Sequence, residues 1–431
     1  MNPVGFHEIR DPVHGSIRLD EQEYVIIEHK FIQRLRRIRQ LGFSHVPFPG
    51  ATHTRFCHSV GVMELAGRVF DSIFCDDPFA SKKRRLELRQ CLRLAALFHD
   101  LGHGPFSHAV EFAMPKVQTL NLGVKKERIA THEDYTVAIL RNSSLNQAIA
   151  KNFSFTGDHV AALVDPSTPC DDFFVEGGFD LRIILSQLIS SNLDVDRLDY
   201  LIRDSYFSGV RYGQVDVHWL VGHLHRYVTS DNKVLLAFDH SALYAFEDFL
   251  LARLQMFLNV YFHHKSVGLE LMFKAFMADP QCDYKLPSDL DAYCEVDDSH
   301  LWSHLCRTDH PFARAVVQRK PYHVIMERHG APEDVDLQVQ KKALEDAGIH
   351  VLLSTSIGSS FPKPSLGKPN LMILGSSLEG SKVDSPLTYL DFNRVPKRVC
   401  ICRLYVDEKD VLKAKNIMQK MTTTQHQPPL L

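Results

Sequence analysis

Ten residues, His99-Asp100-Leu101-Gly102-His103-Gly104-Pro105-Phe106-Ser107-His108, set three histidines and an aspartate around two glycines and a proline. Imidazole and carboxylate together suit divalent transition metals, and imidazole also moves protons near neutral pH. Apolar residues at 91, 94, 95 and 98 keep helical spacing just upstream. His99 and Asp100 therefore fall near the C-terminal end of a buried helix. Adjacent helical side chains diverge by about 100°, so one ion takes both only by lying against the helix flank. Other helices must complete its shell. Gly102, Gly104 and Pro105 permit a sharp turn beside the ion, which would bring His103 and His108 back over it. One histidine there would read as a dipole-favoured cap; the whole cluster does not.

The elements that must supply the remaining groups are legible as helical patterns. A helix starting near Thr54 carries Arg55 and His58, with Met63, Ala66, Phe70 and Ile73 as its apolar stripe. On spacing alone His58 reads as a core histidine. Thr131 is a candidate cap for a helix opening at His132-Glu133-Asp134. Residues 181 to 208 form another pattern, with Asp194, Asp196, Arg197, Asp199, Arg203 and Asp204 set into it. Asp196, Tyr200 and Asp204 follow one another at intervals of four and share a face, whereas Asp199 and Arg203 read as a surface pair. A carboxylate on a buried face needs a counter-charge, which a metal would supply. Arg253 and Tyr261 lie two turns apart in a helical stretch running from Ser241 to Asp279. Glu21 to Leu41 is also helical by pattern, with Arg34, Arg36, Arg37 and Arg39 either facing water or meeting phosphate. Residues 6 to 20 suggest a short strand pair or turn, Lys82 to Arg85 a solvated loop or helix start, and 112 to 130 either a loop over the site or a surface connection.

Near Arg319 the texture changes. Strands are expected at Tyr322–Met326, His350–Ser354, Asn370–Leu374 and Val399–Tyr405, with helices at Val335–Ala347 and Val411–Gln419. Gly/Ser/Pro-rich connectors cover Ser356–Pro369 and Gly375–Pro386, and the tail TTTQHQPPLL is expected to be disordered. The expected fold is mainly α, a helical catalytic domain over 1–318 with a smaller α+β domain over 319–431. A net charge of −3 argues against a general nucleic-acid or membrane-surface binder. No run approaches the ~18 apolar residues of a membrane span. Nine scattered cysteines without a CxxC pair read as reduced thiols, and the start lacks a signal-peptide core. A cytoplasmic location is expected.

The HDLGHGPFSH run resembles the signature of the HD-domain phosphohydrolases, in particular the deoxynucleoside triphosphate triphosphohydrolases, including the mammalian members with a SAM domain ahead of the HD domain. Further blocks match in order: DPVHG (11–15), QRLRRIRQLG (33–42), FPGATHTRFCHSVGV (48–62), THE (131–133) and LDVDRLDYLIRD (193–204), then more loosely RLQMFLNVY (253–261). They cover roughly the first two-thirds of the chain. No SAM-like segment is expected, since DPVHG begins almost at the first residue. The resemblance implies an HD-domain helical bundle in which His58, His99, Asp100 and Asp196 hold a metal, with Fe, Mn, Zn, Co or Ni all compatible with the donor set. It implies that His108 and Glu111 manage proton transfer, and that His103 and His132 contact phosphate oxygens or protonate the leaving group. Arg55, Arg197 and Arg253 would clamp the triphosphate, with Mg²⁺ accompanying it. Gln40, Leu41, Tyr200, Asp204 and Tyr261 would hold the sugar. Two positions depart from the mammalian members: Glu111 replaces aspartate and Arg197 replaces lysine.

The reaction implied is water attack at the α-phosphorus, giving a deoxynucleoside and tripolyphosphate. Glu28, Gln33 and Arg36 match guanine-reading positions of an activator site, although His7 and Arg10 replace its lysine and asparagine. A nucleotide activator and a homo-oligomer, dimer or tetramer, follow as expectations. Two rivals remain: an HD-type nucleotidase or phosphodiesterase acting on another nucleotide, and a non-enzymatic nucleotide- or nucleic-acid-binding module. A two-metal cyclic-dinucleotide phosphodiesterase is disfavoured by the lack of an HHE run followed by a GYP triplet.

Overall fold

The computed structural model describes residues 6–125, 127–330, 335–359, 361, 369–378, 381–386, 395–396 and 398–425. At its centre lies the helix Lys82–Phe98, opened by the Ser81 side chain accepting from the Arg84 amide. The basic run is thus a helix start. From Gln90 to Phe98 every residue is buried, as expected of a helix covered on all sides. Arg93 lies in this stretch and is neutralised by Glu23 through hydrogen bonds of 2.6 and 3.0 Å. Helix Arg55–Ile73 packs along the central helix and is crossed in turn by helix Val195–Ser208. The molecule is mainly helical, with small sheets.

Two long helical patterns are interrupted. Glu21–Leu41 becomes Glu21–Ile27, Lys30–Arg34 and a 3-10 turn at Leu35–Arg37. Beyond it the chain extends: Arg39 bridges Thr54, and the Gln40 amide donates to the His53 carbonyl at 3.0 Å. This tertiary pairing overrides local helix propensity. Likewise 181–208 divides into Arg182–Ile189 and Val195–Ser208, the second capped by Asp194. Leu243–Met256 and His264–Ala278 are joined by a π-helical turn at Phe257–Tyr261.

The C-terminal segment builds an antiparallel sheet ordered His323–His329, Arg398–Val406, Val351–Ser359. Strand alternation divides its central strand between two neighbours. Cys400, Cys402, Leu404 and Val406 share a core with Leu337, Leu344, Ala414 and Met418 of helices Val335–Asp346 and Val411–Gln425. Arg403 and Tyr405 point the other way, donating to the carbonyls of Phe262 and His264. The expected connector Gly375–Pro386 is largely strand instead. Met372–Leu378 and Ser381–Pro386 form a hairpin that adds parallel to Val234–Asp239, which pairs with Leu224–Val228. The segment after residue 319 therefore forms its own layer and also pairs back onto the helical part. In the other connector, residues 360 and 362–368 lie outside the described residues, as do 426–431 of the tail. Residues 422–425 end the last helix. Among the described residues no helix is long and apolar enough to cross a membrane.

At the crossing of Arg55–Ile73 and Val195–Ser208, Gly61 faces the Asp199–Arg203 pair. A β-carbon there would lie 2.1 Å from Asp199 Oδ1 and 2.2 Å from Arg203 Nη2. Gly61→Ala is expected to destabilise the fold by about 1–3 kcal/mol, as overpacking generally does. A thermal melt showing an unchanged midpoint would contradict so tight a crossing.

Candidate metal centre and substrate cavity

Four side chains from three segments meet beside the end of the central helix. His58 Nε2 lies 3.0 Å from Asp196 Oδ1 and 3.6 Å from Asp100 Oδ2. His99 Nε2 lies 3.4 Å from both Asp100 Oδ1 and Asp196 Oδ1. These approaches are the geometry of donors facing a common point. The opposite ring nitrogens are already engaged: His58 Nδ1 with Asp199 Oδ2 at 2.7 Å, His99 Nδ1 with the Ala96 carbonyl at 2.7 Å. Donation from each Nδ1–H leaves the Nε2 lone pair aimed at the shared point. Both Nε2 atoms are buried without a hydrogen-bond partner, which a bound cation would relieve. His58, His99 and Asp100 also satisfy the spacing of a metal-holding group. The residues present fit a divalent ion.

Beneath this centre lies a buried network. Asp199 Oδ1 accepts from His14 at 2.6 Å, and both its oxygens receive Arg203 at 2.8 Å. Arg203 also reaches Asp11 at 2.7 and 3.2 Å, and Asp11 caps the amides of Val13 and His14. The DPVHG turn thus braces the carboxylate that orients His58. Asp199 and Arg203, expected as a surface pair, are both fully buried because they face helix Arg55–Ile73 rather than water. Burial alone would lower the pKa of His58. The carboxylates of Asp196 and Asp199 outweigh it and raise the value to about 10, so Nε2 holds a proton unless a cation takes its place. Asp100 is held well below the usual carboxylate range, against its burial, by Arg55, His99 and His103.

His103, His108, Glu111 and His132 form a second cluster. His103 Nε2 lies 3.3 Å from Asp100 Oδ1, and its ring stacks on His132 with centroids 3.9 Å apart. Glu111 joins the other two imidazoles, 2.7 Å from His132 Nδ1 and 3.2 Å from His108 Nδ1. The longer glutamate at this position spans both rings. It stays ionised because those hydrogen bonds outweigh its desolvation. Burial and the nearby Arg55 press the pKa of His103 well below its ordinary value, so that imidazole is neutral. After Pro105 the chain forms a 3-10 segment, Ser107–Ala113, entered through left-handed backbone at Phe106 and Ser107. Asp298 anchors that turn, accepting from the amides of Phe106 at 2.8 Å and Arg39 at 3.0 Å.

Next to both clusters opens a cavity of about 330 Å³ lined by Gln40, Leu41, Arg55, His108, Tyr200, Asp204 and Tyr261, among others. That volume is in the range of a small-molecule site. Asp204 is held by Tyr261 and His53, each at 2.8 Å. Arg55 binds the Asp100 carboxylate and donates to Ser107 Oγ at 2.9 Å. Arg253 stands behind the wall, 3.4 Å from the Tyr200 hydroxyl, over the Phe257 ring and bonded to the Ser359 carbonyl. Arg197 is not brought into the cavity lining; its guanidinium turns to Asp194 and to the Ser191 carbonyl at 3.0 Å. Gln33 receives Arg36 at 2.7 Å, Arg36 covers the Phe56 ring, and Glu28 is exposed nearby on the chain. His14, Asp199, Arg203, Asp298 and His53 were not read as site residues. Their partners lie across the fold; the matching blocks at 11–15, 48–62 and 193–204 hold all of them but Asp298, with nothing in the spacing to mark their roles.

Residues 55–167, which hold His58, His99 and Asp100, match the HD domain family. The chain is 38% identical over 265 residues to the uncharacterized protein YwfO of Bacillus subtilis, covering 61% of this chain and 53% of that one. It is 32% identical over 223 residues to the deoxynucleoside triphosphate triphosphohydrolase SAMHD1 of Bos taurus, covering 47% and 36%. The chain thus spans about half the length, or less, of these curated relatives. A hypothetical protein from Aquifex aeolicus superposes with a TM-score of 0.74 at 26% identity, covering 96% of this chain and all of that one.

If Asp199 orients His58, Asp199→Asn weakens metal retention by about 10–100-fold, as loss of such supporting carboxylates does. Competition with a chelator, read by metal analysis alongside far-ultraviolet circular dichroism, measures it. Wild-type retention in a folded variant would show that His58 needs no such support.

Proposed function

We propose that the protein is a metal-dependent deoxynucleoside triphosphate triphosphohydrolase. The observation carrying this reading is the adjacency of a four-donor centre to a cavity lined by six of the residues expected to hold nucleotide. His58, His99, Asp100 and Asp196 would hold the ion. When bound, a divalent ion supplies Lewis-acid withdrawal of charge from the phosphate and acidifies a water nucleophile.

The chain's own groups do the rest. Arg55, poised between Asp100 and Ser107, meets negative charge developing on the phosphate with a planar fork of donors. Neutral His103 and its stacked neighbour His132 present ring nitrogens to phosphate oxygens. Glu111 fixes both His132 and His108, so a proton gained at His108 is stabilised by a carboxylate next to it. As water oxygen bonds to the α-phosphorus, the bond to O5′ breaks. O5′ then takes a proton, releasing deoxynucleoside, and tripolyphosphate carries the water oxygen. Tyr200, Asp204, Tyr261, Gln40 and Leu41 hold the sugar in register with the phosphates. Arg253 steadies Tyr200 from behind.

The decisive experiment is metal analysis with product identification on purified protein given each deoxynucleoside triphosphate. Tripolyphosphate and free deoxynucleoside are expected, with turnover lost in chelator and in Asp100→Ala. Orthophosphate or pyrophosphate as the product would assign a different hydrolase. Gln33 and Arg36 further suggest a guanine-nucleotide activator and an oligomer assembled around it. Rate against added guanosine triphosphate should then rise sigmoidally together with oligomer mass, and flat curves in both would remove the activator.

A further inference from the structure

One wall of the cavity has no role in the mechanism above. Helix His264–Ala278 packs against the turn Gly42–His45 and the 3-10 segment Ser107–Ala113, and it presents Ser266 and Glu270 to the cavity. The two are four residues apart and share one helix face. Ser266 is 6% exposed, and its hydroxyl oxygen is buried without a hydrogen-bond partner. A buried hydroxyl left unpaired is costly, and a ligand atom would satisfy it. Glu270 Oε1 accepts from Lys274 Nζ at 2.5 Å, which orients the carboxylate. Its Oε2 has no partner among the described residues. Arg55, Ser107 and His108 line the same cavity beside the metal centre, while Tyr200, Asp204 and Tyr261 supply its aromatic and acidic lining. With phosphates at the first group and sugar at the second, the helix wall is left for the base.

We infer that Ser266 and Glu270 form a base-reading edge that favours nucleobases rich in N–H donors, guanine foremost, and disfavours thymine. This rests on the triphosphohydrolase reading and names the substrate preference of that site. An ionised carboxylate only accepts hydrogen bonds. Guanine offers a ring N–H and an adjacent amino group on one edge, a two-donor match to a carboxylate, with a carbonyl beside them for the Ser266 hydroxyl. Cytosine and adenine offer an amino group next to a ring acceptor. Thymine sets its one N–H between two carbonyls, so acceptor meets acceptor at the carboxylate. Sites that hydrogen-bond a substrate group discriminate strongly against analogues lacking it. Because Glu270 is only partly buried, the discrimination falls well short of a sealed pocket.

The test measures kcat/KM for the four deoxynucleoside triphosphates and deoxyinosine triphosphate, which lacks the guanine amino group, on the metal-loaded protein. The expected order is guanine above hypoxanthine and thymine last, with guanine ahead of thymine by about tenfold. Glu270→Ala and Glu270→Gln should each compress that ratio to within about threefold, and Ser266→Ala should lower it for guanine in particular. Equal values for all bases in the wild type, thymine at or above guanine, or an unchanged order in both Glu270 variants would overturn the base-reading edge while leaving the triphosphohydrolase reading intact. Absence of tripolyphosphate from every deoxynucleotide would instead overturn the reading on which it rests.

Discussion

The carboxylate of Asp199 is the interaction on which the site depends. Fully buried, it is matched by Arg203, His14 and His58 at once. A charge in that position is tolerated only when every oxygen is engaged, and removing one partner leaves the others uncompensated. The arrangement therefore ties an N-terminal turn, a helix from the first third of the chain and a helix from its middle into one unit. His58 receives its orientation from that unit rather than from its own helix. The convergence of donors at the metal centre is the outward side of a charge balance settled in the core.

Much of this was legible in the residues because the chemistry is local. The run from His99 to His108 announces itself by composition, and helical spacing alone places Asp196, Tyr200 and Asp204 on one face. Thr131 reads as a cap and does cap helix His132–Asn142, in a reciprocal arrangement with Asp134. The strands and helices after Tyr322 follow from alternation and period, except the strand Ser381–Pro386, which reads as a connector. What stayed hidden depended on distance along the chain. Asp199 and Arg203 at a separation of four look like any exposed ion pair, and only the helix lying over them makes them a core element. Asp298 is one of two adjacent acids in the sequence. Its binding of the amides of Phe106 and Arg39 needs the fold, and burial pushes its pKa up to about 6. Arg197 shows the converse: a residue whose block resembled a phosphate clamp is instead folded against its own helix cap.

The C-terminal layer contributes to the site without lining its mouth. The sheet reaches back through Arg403 and Tyr405 to the chain at Phe262 and His264, and Ser359 holds Arg253 behind Tyr200. The position of Tyr200 in the cavity wall is thereby coupled, through Arg253, to a strand about 150 residues further on in the chain.

The π-helical turn at Phe257–Tyr261 has a wider consequence. A wide turn holds one residue more than the regular spiral, so it can absorb a single-residue deletion by reverting to ordinary winding, and the positions displaced are those of the turn itself. Tyr261, inside the turn, would swing from Asp204, while helix His264–Ala278, which begins anew after Phe262 and His263, would keep its own face. A single-codon deletion or insertion in this segment is therefore a short evolutionary route to a differently shaped pocket, with the ion-binding shell left untouched on its own helices.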